Sequence, residues 1–212
     1  PRQAMIYGTA GFTAAQSVRA ICHHGILPTG GEVVVTGATG GVGSVAVALL
    51  AKLGYTVVAV TGKPELHGAL TELGAARILS RQEVSDTTGK PLLSPRWAAA
   101  VDTVGGNVLA TLLRSLKHRG CVTACGLVAG IELPLTVFPF ILRGAALLGI
   151  DSAKCPRGPR LEIWNHLAGD WNVLRQLEPW VREVSLAEVP AEVTAMLAGK
   201  SQGRVLVRPM GA

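Results

Sequence analysis

Charged residues are scarce in this sequence of 212 residues, at 16%, and aromatic residues are scarcer, at 4%. A solvated coil needs the opposite balance, so a hydrophobic content of 49% excludes disorder. No stretch approaches the ~18 uninterrupted apolar residues of a membrane helix, and no membrane partner is expected. Cysteine is limited to Cys22, Cys121, Cys125 and Cys155, with neither a CxxC pair nor the spacing of a zinc clip. No metal site is expected, and the four thiols are expected to be reduced, in a cytoplasmic protein. Runs of Lys and Arg interleaved with aromatics are also absent. The net charge of +6, from 20 basic against 14 acidic residues, therefore points to a small phosphate-bearing molecule rather than nucleic acid. The sequence opens Pro1-Arg2-Gln3-Ala4, without Met and without a charged-then-apolar signal pattern.

Glycine, by contrast, is abundant. Its 26 copies in 212 residues are about 12%, against about 7% in ordinary proteins, with no collagen period. Glycine in excess alongside Ala and Val is the composition of compact α/β nucleotide binders. Glu32-Val33-Val34-Val35-Thr36 is a continuous β-branched run, the pattern of a strand covered on both faces. Further strands are expected at 56–60, 76–79, 98–103, 121–125 and 146–150. Helices are expected at 13–22, 42–53, 67–73 and 107–116. Strands alternating with helices give right-handed crossovers and a doubly wound, six-stranded parallel sheet over residues 30–152. Residues 1–29 read as a linking helix. Residues 153–212 begin with the basic loop Lys154–Arg160 and continue with two helices carrying Trp164, Trp171 and Trp180. A strand at 181–184 and a helix at 186–197 follow, with Pro190 in that helix's first turn. The last segment, Gly203–Arg208, alternates like an antiparallel strand and has no evident partner.

The segment Val35-Thr36-Gly37-Ala38-Thr39-Gly40-Gly41-Val42-Gly43-Ser44 follows an expected strand and opens an expected helix, the context of a dinucleotide-binding turn. In the frame Ala38-x-Gly40-x-x-Gly43, alanine replaces the usual first glycine. Gly40 lets the backbone approach a pyrophosphate, and Gly43 lets the helix pack on the strand. The helix N-terminus supplies free N–H groups. Outside that context such a turn fits other α/β folds, short-chain reductases among them. An NAD binder carries Asp or Glu about 20 residues beyond the glycines. Here that place reads Val60-Thr61-Gly62-Lys63, with no carboxylate before Glu65. Thr61, Gly62 and Lys63 can receive a 2′-phosphate, with Arg81 as a second cation, so NADPH is expected over NADH. As solvated surface charges, Lys63 and Arg81 would carry no such meaning. Asp102, ending a strand, is expected to be structural.

These segments, with Gly8-Thr9-Ala10-Gly11-Phe12-Thr13-Ala14, Asp102-Thr103-Val104-Gly105, Ala124-Cys125-Gly126-Leu127, Pro139-Phe140-Ile141-Leu142-Arg143, Gly149-Ile150-Asp151-Ser152 and Gln202-Gly203-Arg204, resemble the medium-chain dehydrogenase/reductase superfamily. The resemblance is to its zinc-free quinone-oxidoreductase branch, and within it to the acrylyl-CoA reductases. It implies a Rossmann-like sheet whose Thr39-Gly40-Gly41-Val42 segment holds the pyrophosphate. It implies a 2′-phosphate at Thr61-Gly62-Lys63 and Arg81, and a nicotinamide lined by Leu127, Ile141 and Ser152. Lys63 stands where arginine is common, and Gly199 where a side-chain amide is. The resemblance further implies an N-terminal GroES-like barrel, which these residues do not include. The catalytic residues would lie there, and Gly203–Arg208 would return to it. A homodimer formed along the edge at 146–150, covered by 138–142, is implied as well. The implied reaction is NADPH-dependent reduction of an enoyl-thioester, with quinone reduction as the alternative. A non-enzymatic module binding nucleotide or nucleic acid is the third reading.

Overall fold

Val33, Val34 and Val35 point alternately into two cores. Val33 and Val35 join Val57, Ala59, Ala99, Val101 and Cys121 in one, while Val34 joins Val58, Ala100 and Val122 in the other. A strand buried on both faces cannot carry polar residues, which is why its sequence runs without interruption. The computed structural model describes residues 1–209. In chain order its elements are α1 (Arg2–His23), β1 (Val33–Val35), α2 (Gly41–Lys52), β2 (Val57–Val60), α3 (His67–Leu73), β3 (Arg77–Leu79), β4 (Trp97–Asp102) and α4 (Gly106–Arg114). Then come β5 (Leu116–Ala124), α5 (Phe138–Arg143), β6 (Ala146–Gly149), α6 (Arg157–Ala168), α7 (Leu174–Leu177), β7 (Val181–Ser185), α8 (Val189–Leu197) and β8 (Arg204–Arg208). The first six strands form one parallel sheet, ordered β3-β2-β1-β4-β5-β6. Helices α1, α2, α3, α6 and α7 contribute to the first core, and α4 and α5 pack on the second.

The doubly wound parallel sheet is as the sequence predicts. β5 begins at Leu116, five residues before the expected strand and within the expected helix 107–116, and three further segments differ from expectation. α1 starts at Arg2 rather than Thr13 and bends at Gly8, whose φ of 50° and ψ of −155° break the helical path. Burial of Ile6, Tyr7 and Phe12 outweighs the loop-like composition of 8–12. Trp164 lies on α6 as expected, but Trp171 sits in a turn stacked on His166, and Trp180 closes the 3₁₀ turn Glu178–Trp180. The third correction concerns the last strand, which is not unpaired. β8 pairs in parallel with β7, Val181 opposite Arg204 through Ser185 opposite Arg208, with α8 as the crossover. Leu206 is buried and Val207 exposed, so the alternation reports one covered face and not strand direction.

All four cysteines are free. Burial pushes the Cys121 thiol up to about 12 and that of Cys125 up to about 11, from an ordinary 9.0. Their contribution to stability is therefore present below pH 9 and is lost as pH rises through 11 to 12. Urea midpoints measured between pH 8 and 12 should fall across that window. A Cys121→Ala variant should fall less steeply. Burial of the Tyr55 phenol raises it too and keeps some slope in the variant. Among the described residues, no helix is long and apolar enough to cross a membrane.

Candidate dinucleotide site

The chain runs outward from β1 through β2 to β3, then returns to β4 on the other flank of β1. The strand order reverses there, and the crevice beyond the carboxyl ends of β1 and β4 is where open α/β sheets bind ligands. Its walls are bolted together. The Thr36 hydroxyl donates to Asp102 Oδ1 at 2.7 Å and accepts from the Thr103 amide at 3.0 Å. The Thr103 hydroxyl donates to the Thr36 carbonyl at 2.9 Å. The carboxylate of Asp102, fully buried, also accepts from the Gly105 amide at 2.8 Å. Burial raises its pKa, against the pull of those donors. Asp102 is thus a structural bolt, as expected from its place at a strand end.

Between β1 and α2 the backbone turns at Gly37, with φ of 58°, and a side chain there would start 2.3 Å from the Thr103 hydroxyl. The left-handed, close-packed residue of the turn is therefore Gly37, one residue before Ala38. Ala38 is buried, its amide donating to the Val60 carbonyl at 3.1 Å. The Gly40 amide closes the turn onto the Gly37 carbonyl at 2.9 Å. Gly43 meets the turn most tightly: a Cβ there would lie 2.2 Å from the Gly37 oxygen. α2 opens at Gly40 without a side-chain cap. The first-turn amides of Gly41, Val42 and Gly43 thus have no acceptor within the helix and add to its positive end.

A cation already stands beside these amides. A Cβ on Gly41 would lie 3.2 Å from Arg204 Nη1, and one on Gly8 would lie 2.7 Å from Nη2. Arg204 is held by its Nε donating to the Ile6 carbonyl at 3.0 Å, and the Gly203 amide donates to the Thr39 carbonyl at 2.9 Å. Burial lowers the pKa of Arg204 from its ordinary value.

At the end of β2, Thr61 is buried, 3.5 Å from the Thr39 hydroxyl, and its own hydroxyl accepts the Lys63 amide at 3.1 Å. The Arg81 side chain crosses directly over Gly62, where a Cβ would meet Nε at 2.8 Å. The Lys63 ammonium donates to the Ser201 carbonyl at 2.5 Å. The structure therefore brings Thr39, Thr61, Gly62, Lys63 and Arg81 together. Leu127 borders the same crevice: it follows Gly126, which touches the Thr103 backbone, and its Cα lies 3.1 Å from a Cβ on Gly105. Ser152 lies in the loop after β6, its carbonyl accepting from Arg160 at 2.8 Å. Ile141 is 70% exposed on α5, whose Arg143 donates to the Leu116 carbonyl at the start of β5. No described contact joins Ile141 to the glycine turn. Gly37, Thr103 and Arg204 escape a motif frame counted from Ala38. The signals that could have found them are the glycine directly after the strand and the basic residue of Gln202-Gly203-Arg204.

Fold and site together define a Rossmann-type dinucleotide-binding domain. The chain belongs to the zinc-binding dehydrogenase family, whose sequence profile matches residues 41–161. It is 50% identical over 206 residues to the acrylyl-CoA reductase AcuI of Ruegeria pomeroyi, covering 97% of this chain and 62% of the relative. The putative quinone oxidoreductase YhfP of Bacillus subtilis is 48% identical over 207 residues, covering 98% and 63%. The structure of the yhdH oxidoreductase of Salmonella enterica in complex with NADP superposes with a TM-score of 0.92 at 50% identity, covering 98% and 63%. The chain thus spans under two thirds of the length of the relatives it matches. Among the described residues, no group of three or more His, Cys, Asp or Glu side chains is placed to hold a metal ion. The zinc in the family's description therefore finds no donor set among these residues.

Proposed function

We propose that residues 30–152, closed by the segment around Arg204, form the cofactor-binding part of an NADPH-dependent oxidoreductase acting on α,β-unsaturated acyl-CoA thioesters. The observation that carries the cofactor assignment is the end of β2, where a buried hydroxyl and two cations stand in place of a carboxylate. The amides of Gly41, Val42 and Gly43 and the guanidinium of Arg204 receive the diphosphate. Thr61, Gly62, Lys63 and Arg81 receive the 2′-phosphate. Leu127, Ile141 and Ser152 border the nicotinamide end. When bound, NADPH supplies a hydride for the β-carbon of the conjugated thioester, while the α-carbon takes up a proton. The share of this chain in that reaction is orientation of the cofactor, with Leu127 bordering its nicotinamide end. The relatives support the substrate class: the Ruegeria protein, 50% identical, is an acrylyl-CoA reductase. The further reading covers a cytoplasmic homodimer joined along the open edge of β6, with catalytic side chains contributed from outside these residues.

Calorimetry tests the cofactor assignment. The chain should bind NADPH about 10- to 100-fold more tightly than NADH, the worth of one charge-assisted hydrogen bond. Lys63→Glu should remove that preference, and equal affinities in the unsubstituted chain would refute the assignment. A second reading, quinone reduction, is favoured by the likeness to YhfP, whose solved structure carries NAD at 48% identity. Turnover of acrylyl-CoA against a quinone by the complete enzyme separates the two.

A further inference from the structure

We propose that the segment Ser201–Arg204 is a cofactor-selectivity strap, which presets the Lys63 ammonium for a 2′-phosphate through the Ser201 carbonyl. The inference rests on the reading of Lys63 given above. A lysine side chain is long and freely rotating, and its ordering costs binding free energy unless it is ordered beforehand. Here it is ordered: Nζ donates to the Ser201 carbonyl at 2.5 Å. The nature of the partner matters. A carboxylate would position the ammonium and neutralise it, whereas a carbonyl positions it and leaves its full charge, with two N–H donors free for an anion. The Ser201 hydroxyl has no hydrogen-bond partner, so this residue engages Lys63 through its backbone.

The strap is itself fixed to the phosphate turn. The Gly203 amide donates to the Thr39 carbonyl at 2.9 Å, and Arg204 donates to the Ile6 carbonyl at 3.0 Å. Gly203 has φ of 54°, and a Cβ there would lie 2.1 Å from the Trp180 carbonyl oxygen. Gln202 lines cavities of about 270 and 440 Å³, so its side chain has room, and the strap is fixed by its hydrogen bonds and by the close packing of Gly203 on Trp180. One backbone stretch therefore spans the diphosphate turn and the ribose corner, and its placement bears on the cation that distinguishes the two dinucleotides.

The test is a double-substitution cycle on the full chain, with NADPH and NADH titrated separately. Gly203→Ala, which must push the strap off Trp180, should raise the Kd for NADPH about tenfold more than that for NADH. Lys63→Ala should reduce the preference to what Thr61 and Arg81 supply. Adding Gly203→Ala to Lys63→Ala should then produce no further change in the NADPH:NADH ratio. A purely structural strap would weaken both cofactors equally, and that result, or a ratio change persisting without Lys63, overturns the proposal. A preference undiminished by Lys63→Ala overturns the assignment of Lys63 to the 2′-phosphate, whatever the strap does. Hydrogen exchange of the unsubstituted chain decides the matter if Gly203→Ala does not fold. Saturating NADPH should slow the amides of 201–208 more than saturating NADH, and equal slowing refutes the strap.

Discussion

Replacing Gly43 by alanine is expected to destabilise the fold by about 3 kcal/mol and to weaken NADPH binding about 100-fold. The new methyl would lie 2.2 Å from the Gly37 oxygen and 2.8 Å from the Ala38 Cα. Both are backbone atoms, so no side chain can swing aside. Either the turn opens or α2 backs away from β1, and each displaces the amides of Gly41 and Val42 by something near 1 Å. A melting experiment should register a fall in Tm of roughly 6–12 °C for a chain of this size. The two effects have one cause, so they should appear together. A Gly43→Ala protein with unchanged Tm and unchanged affinity would show that the close approach is not required. Gly68 is the control, because nothing lies within 4 Å of a Cβ built there and alanine should fit without displacing the turn.

Arg204→Glu should weaken both NADPH and NADH, by about 100- to 1,000-fold, because it exchanges a charge-assisted donor for a repelling carboxylate at the positive end of α2, with any additional loss on NADPH reporting release of the strap. Arg204→Gln, which removes the charge alone, should cost about tenfold. Lys63→Glu should act mainly on NADPH, so the pair of variants assigns each cation to a different phosphate. Arg204 is partly buried and screened less than an exposed charge, and its effect should persist at raised ionic strength. Titrations at two salt concentrations check this. A loss confined to NADPH would place Arg204 at the ribose rather than the diphosphate.

Legibility followed burial. Val33–Val35 and Val57–Val60 could be read as strands because each is covered on both faces, which leaves an unbroken apolar signature. The first half of α1 could not, since Gly8 and Gly11 suggest a loop and only the packing of Ile6 and Tyr7 reveals a helix. The proposed ribose corner could be named from sequence as Thr61-Gly62-Lys63 because it lies a fixed distance beyond the glycines. Arg81 was legible only as a residue following the next strand, and its crossing of Gly62 is a tertiary fact. Arg204 could be noticed only as the basic residue of Gln202-Gly203-Arg204, and nothing local announces its approach to the glycine turn from the far side of the fold. The pairing of β8 was hidden for a related reason. Alternation in sequence reports which face is covered and carries no information about the direction of a neighbour.

The bond between Arg204 and the Ile6 carbonyl joins residues 198 apart in sequence. Contacts of such long range form late, because the loop they close is entropically costly. In the site proposed above, the turn between β1 and α2 gains its neighbouring guanidinium only once residue 204 is in place. On that reading, tight cofactor retention requires the chain through that residue, and a chain ending before it should bind NADPH more weakly.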